Sequence, residues 1–257
     1  MGSSIKKRGF IRQAEVTFSF VLIGQFIYFI YPTKNPQPMK THKTLSFLFV
    51  ACIVVSAQAQ TREIYVNDNF AAVARDHKVV AILPFKAIVK LRPKQMEKMT
   101  PEQFQQLQKD EGLAVQSAVH SYLLKRKDQH NLRINFLDVM TTNALLAKGN
   151  VTQENIDTFT PKELAEMLNV DAVISGVLST DKPMSDGASV ALGLLVGFYG
   201  PTNSGKCTIN INDGPSGELM WKYEKTLSRS LGSDTNTVIN TIMRKASRQL
   251  PYIEGKD

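Results

Sequence analysis

Residues 206–227 read KCTININDGPSGELMWKYEKTL, two alternating runs on either side of a turn rich in glycine and proline. In extended backbone successive side chains point to opposite faces, so Cys207, Ile209 and Ile211 share one face and Lys206, Thr208 and Asn210 the other. GPSG, residues 214–217, is the turn, and residues 218–227 alternate again, which predicts a β-hairpin. A ribbon with one apolar face needs a second layer of structure to cover it.

The rest of the pattern supplies that layer. VVAILPF, residues 79–85, is a continuous apolar run closed by proline and predicts a strand buried on both faces. TPEQ, residues 100–103, has the composition of a capping box, with Pro101 suited to the first helical position. Val115, Ala118, Val119, Tyr122 and Leu123 then form one helical stripe, and Gly112 either separates two helices or sits within one. LRINFLDV (132–139) predicts a second strand, and TPKE (160–163) starts a short helix that runs through Leu168. VDAVISGVLS (170–179) predicts the third strand. Asp234 is a plausible cap for a last helix that presents Val238, Ile239, Ile242, Met243 and Ala246 before Pro251. The expected fold is an α/β three-layer sandwich, with a mixed sheet of about five strands, a late β-hairpin and a carboxy-terminal helix.

The amino-terminal region points to export. MKTHKTLSFLFVACIVVSAQAQ, from Met39, has a basic start, a short apolar core and an Ala57-Gln58-Ala59 cleavage site. This is the pattern of a secretory signal peptide, with an apolar part too short for a stable span. Residues 1–38 read as an upstream extension, 39–59 as the signal and 60–257 as a single α/β domain. A rival reading makes residues 16–31 a membrane anchor. Lipid anchoring at Cys52 is the weaker alternative to cleavage at Ala59, because the apolar residues 53–55 make a poor linker. After cleavage Cys207 is the remaining cysteine, which leaves no internal disulfide. The charge of +8 is mostly leader: seven of the 31 Lys and Arg and one of the 23 acids lie in residues 1–59, so the remainder is near +2. No nucleic-acid partner is expected. The clusters at Lys86, Lys90, Arg92, Lys94 and Lys98, and at Lys125, Arg126 and Lys127, read as solvated surface.

Chemistry-bearing motifs are few. Gly200, Gly205 and Lys206 have phosphate-loop spacing, but the loop must open a helix and Lys206 is predicted to open a strand. The position that would bind magnesium is Cys207, a soft ligand for a hard cation. His77, His120 and His130 lack metal-ligand spacing, and there is no G-x-S-x-G elbow. His120 is expected to be a helix histidine. No cofactor, metal or catalytic residue is expected. A Ser–His–Asp set assembled only in space is left open.

ASVALGLLVGFYG, residues 188–200, is apolar and glycine-punctuated. It reads either as core packing or as a surface that meets a partner or a membrane. On the second reading the contact residues are Leu192, Leu194, Leu195, Val196, Phe198 and Tyr199.

Three stretches, VVAILPF, LAEMLNVDAVISGVLS (164–179) and CTININDGPSGELMWKYEKTL (207–227) with Gly217, Leu219 and Trp221 at the turn exit, resemble a group of bacterial envelope proteins in order and spacing. The group comprises the curli-secretion channel lipoprotein CsgG, the amino-terminal domain of TolB and the LpoB activator. The resemblance implies a three-layer α/β domain, an envelope location and a binding role, and it transfers no catalytic residue. The chain departs from the group in lacking a convincing lipidated cysteine. It also has one apolar insertion where the curli channel uses two hairpins per subunit, which argues against a pore. The expected function is an exported, non-enzymatic envelope module that binds an envelope or outer-membrane protein. Self-association into a homo-oligomer and peripheral membrane contact are left open. The alternative is a periplasmic hydrolase or small-ligand binder without a recognisable motif.

Overall fold

The alternation of residues 206–227 is realised as two paired strands. A computed structural model describes residues 11–13, 62–130, 132–181, 205–227, 235–250 and 252. All of these but Gln13 belong to one unit of the chain. The sheet strands are β1 (Ile11–Gln13), β2 (Arg62–Val66), β3 (Val79–Ile82), β4 (Lys86–Val89), β5 (Asn135–Phe136), β6 (Ala172–Thr180), β7 (Gly205–Asp213) and β8 (Leu219–Leu227). The order is β1-β2-β8-β7-β6-β3-β5, with β4 also on β6. β6, β7 and β8 are antiparallel neighbours and β2 is antiparallel to β8, while β3 and β4 run parallel to β6 and β5 runs parallel to β3. The sheet is mixed, as the pattern predicts.

It is also wider than the five strands expected. The run beginning at Val79 leaves the ladder after Ile82, since Pro84 has no N–H to donate, and Phe85 turns into the core. The chain resumes as β4 beside the second half of β6. Lys86 and the following Lys90 disguise β4 as a basic loop, and β2 is a five-residue strand outside the expected elements. The predicted strand over 132–139 keeps only Asn135–Phe136 in the ladder, because Asp138 turns outward to cap a helix.

Six α-helices accompany the sheet among the described residues: α1 (Phe70–Val73), α2 (Pro93–Met96), α3 (Pro101–His130), α4 (Val139–Lys148), α5 (Pro161–Leu168) and α6 (Thr235–Ala246). Both predicted capping boxes form. The Gln103 amide N–H donates to Thr100 Oγ1 at 3.3 Å and that of Glu163 to Thr160 Oγ1 at 3.2 Å. Reciprocal bonds run back to Gln103 and Glu163. α4 carries no such signature and was not predicted, although Asp138 caps it through the Thr141 N–H.

Helices lie on both faces of the sheet. On one side α3 and α6 bring Val115, Val119, Leu123, Val238, Ile239 and Ile242 against Val80, Ile82, Ile174, Ile209, Trp221 and Tyr223. On the other, α4 and α5 bring Leu146, Leu164 and Leu168 against Ala81, Leu83 and Val173. Consecutive strand residues alternate between the two cores, which is the period of extended chain. The second helical layer is the smaller. Ser175, Val177, Thr208, Asn210, Lys222 and Glu224 are only half-buried on that side. The polar half of the hairpin alternation is thereby explained.

Candidate functional site

Lys206 stands in a strand. Its backbone pairs with Ser179 on one side and Thr226 on the other, so residues 205–213 offer no row of free N–H groups to a phosphate. Its ammonium lies 2.5 Å from Glu224 Oε1. Gly205 serves close strand packing, since a Cβ there would lie 1.9 Å from the Ser179 carbonyl oxygen. Cys207 is fully buried and its thiol is pushed up to about 12 by that burial, so it is an inert core residue. Gly200 lies outside the described residues.

The Ser, His and carboxylate types of a catalytic triad do meet in space, in an order that disarms them. His77, 5% exposed, precedes β3. Its Nε2 is 2.9 Å from Asp213 Oδ1, and its Nδ1 is 2.8 Å from the Tyr252 hydroxyl. An ionised carboxylate only accepts, so Nε2 carries a proton, and in the neutral imidazole Nδ1 then accepts from Tyr252. Ser216 donates both its N–H, at 2.8 Å, and its hydroxyl to Asp213 Oδ2. A nucleophilic serine must instead donate to an imidazole nitrogen that is free to take its proton. Here the chain runs Ser–Asp–His–Tyr and both nitrogens are occupied. Burial works against ionisation of Asp213, but the bonds from Ser216 and His77 outweigh it and hold the carboxyl below its usual range. The Tyr252 phenol is driven upward, first by burial and then by Asp213 and Asp171. The set is a tether joining the start of β3, the hairpin turn and the carboxy-terminal segment. Nothing local in the sequence marks it, because the partners of His77 are 136 and 175 residues away.

The remaining predicted positions separate. His120 is half-buried on α3, and burial lowers its pKa against the opposing charge of Asp138. Among the described residues no group of three or more His, Cys, Asp or Glu could hold a metal. No described helix is long and apolar enough to cross a membrane.

Leu192, Leu194, Leu195, Val196, Phe198 and Tyr199 lie outside the described residues, as do residues 39–59 with Cys52 and Ala59. Their flanks are defined. β6 and β7 stay in register from Ala172–Asp213 to Thr180–Gly205, and Gly205 also pairs with Leu227. Thr180 and Gly205 are thus paired neighbours at the end of the β6–β7 ladder away from Asp213.

A second feature is a cleft of about 370 Å³ where the strand breaks at Pro84. Pro84, Leu113, Leu146, Val151 and Ile156 line it, with Lys109 and the amides of Asn143 and Gln153 among them. Its position depends on the β3–β4 interruption and on α4, neither of which the local sequence pattern predicts.

The chain matches no protein-family model and no curated protein. Among solved structures it is similar to the PelC dodecamer from Paraburkholderia phytofirmans, at 14% identity and a TM-score of 0.37, over 75% of this chain and 96% of that one. It is similar to lipoprotein GNA1162 from Neisseria meningitidis, at 10% identity and a TM-score of 0.37, over 67% of this chain and 98% of that one. A third is the hypothetical protein CT253 from Chlamydia trachomatis, at 11% identity and a TM-score of 0.28, over 67% and 93% of the two chains.

Proposed function

We propose that this chain is an exported, non-enzymatic module of the bacterial cell envelope that binds a protein partner through residues 188–200. The leader pattern at 39–59 supports export, and the ordered resemblance of three stretches to envelope proteins supports a binding role. One structural observation carries the choice of surface. The strand pair that brackets residues 181–204 is hydrogen-bonded to its last residues, Thr180 and Gly205. The described ladder between β6 and β7 is therefore complete up to the flanks of the apolar stretch, and the proposed contact residues are Leu192, Leu194, Leu195, Val196, Phe198 and Tyr199. The Ser–Asp–His–Tyr order supports the non-catalytic reading, because Ser216 donates to the Asp213 carboxylate and not to an imidazole nitrogen.

The test is the double change Leu195→Ser with Phe198→Ser, made in the full chain and followed by cross-linking in the producing cell. Two apolar anchors at the centre of an interface are expected to weaken capture at least about ten-fold. The unfolding midpoint should stay unchanged. Unfolding of the variant would make the segment core, and undiminished capture would remove it from the interface. Sedimentation of the purified chain separates a foreign envelope partner from a second copy of itself.

A further inference from the structure

We propose that the cleft at the β3–β4 break binds a small amphipathic carboxylate, its apolar body on Pro84, Leu113, Leu146 and Ile156 and its head group on Lys109. The cleft falls within the range of about 300–1,000 Å³ typical of small-ligand sites, and such sites are mostly apolar with a few placed polar groups. Native interiors close up unless something holds them open. Here the walls are tied down. Gln116, fully buried, donates to the Ile82 carbonyl at 2.7 Å, and it exchanges bonds of 3.0 and 3.1 Å with Asn143 on α4. Gln153 donates to the Phe85 carbonyl at 3.0 Å. The loop between α4 and α5 is held by the Val151 N–H on the Leu146 carbonyl at 2.8 Å, Asn155 Nδ2 on the Asn150 carbonyl at 2.9 Å and the Thr152 N–H on Asn155 Oδ1 at 2.7 Å. A hollow with fixed walls and an apolar floor is preorganised for an apolar body.

The charge of the head group follows from Lys109. It is an exposed cation on α3 at the cleft and makes no ion pair among the described residues; the acid that feels its field is Glu154. Glu154 therefore competes with an incoming carboxylate for the same ammonium. An alcohol of equal length would fill the floor and gain from the lysine a hydrogen bond without the charge attraction. This assignment is independent of partner binding at residues 188–200, so failure of either leaves the other standing.

The experiment titrates the full chain with octanoate and with 1-octanol by isothermal calorimetry, alongside amide chemical shifts. Octanoate is expected to bind more tightly than 1-octanol and to shift the amides of residues 146–156. Lys109→Gln should weaken octanoate about three-fold and 1-octanol by less. Glu154→Gln should tighten octanoate by about two-fold, the size of an exposed charge pair. Ala147→Phe, at an exposed helical position that lines the cleft, should abolish binding while the unfolding midpoint holds. No octanoate binding, binding indifferent to Lys109, or binding that survives Ala147→Phe would each overturn the assignment.

Discussion

His77 is the hydrogen-bond partner of the buried Tyr252 hydroxyl and of Oδ1 of the Asp213 carboxylate, whose Oδ2 is held by Ser216. Replacing it with alanine orphans the Tyr252 hydroxyl and leaves Asp213 with its Ser216 bonds alone, and an orphaned buried polar group costs about 1–3 kcal/mol. His77→Ala is expected to lower the urea midpoint sharply, and Tyr252→Phe, which removes one bond, to lower it less. The pH dependence follows from Asp213. Its folded carboxyl titrates below the ordinary value of about 3.9, so the unfolded chain takes up its proton first as the solution is acidified. The stabilisation is complete above that ordinary value and drains away as pH falls through the depressed one. Asp213→Asn should be less stable than the native chain at neutral pH and should converge with it in acid, as urea titrations across pH would show. The tether was illegible in the sequence because hydrogen bonding depends on distance in space, and this set is scattered from residue 77 to residue 252.

α3 shows where element-level reading succeeds and where it stops. Its start was legible, since a capping box is a contact within one turn. Its unbroken length was not, because Gly112 fits a helix break as well as a helix interior. The structure decides for the interior on account of Phe85, whose carbonyl oxygen would lie 2.1 Å from a Cβ at residue 112. Gly112→Ala is a contest between two effects. Alanine gains about 1 kcal/mol of helix propensity over glycine. The clash falls on a backbone oxygen that no rotamer change can move away, and on the Gln153 amide that bonds to it. Overpacking of this kind costs about 1–3 kcal/mol. The expected result is a net loss in thermal and urea stability, and a gain would show that α3 slides freely over the strand break. The same break was unreadable as a strand boundary because Lys86 and Lys90 bracket the apolar Ala87, Ile88 and Val89. Their charges suit a half-open sheet face as well as they suit a loop.

At the scale of the whole molecule the sheet is covered unequally. α3 and α6 bury one face over its length, whereas α4 and α5 cover the other near the start of β6. That asymmetry accounts for the polar rows of β7 and β8, and it places the cleft where the smaller layer meets the strand break. The proposal of export also belongs to this scale. Protein isolated from the envelope of the producing cell is expected to begin at Gln60 when its amino terminus is sequenced. Retention of the leader, or an acylated amino-terminal Cys52, would replace cleavage at Ala59 with a membrane anchor.

Period-two and period-3.6 patterns, turn residues and helix caps depend on neighbours within about one turn of chain, so the hairpin, β6, α5, α6 and the layered α/β class are written locally in the residues. So are the signal-like pattern of residues 39–59 and the apolar stretch, which are composition within a single segment. Folding in three dimensions was needed to pair Lys206 in a strand, to bring His77 to Asp213 and Tyr252, and to gather Pro84, Lys109 and Leu146 around one cleft. Those arrangements are made of contacts between residues far apart in the chain. No local pattern encodes them, because they exist only once the sheet has closed and the helices have settled on its two faces.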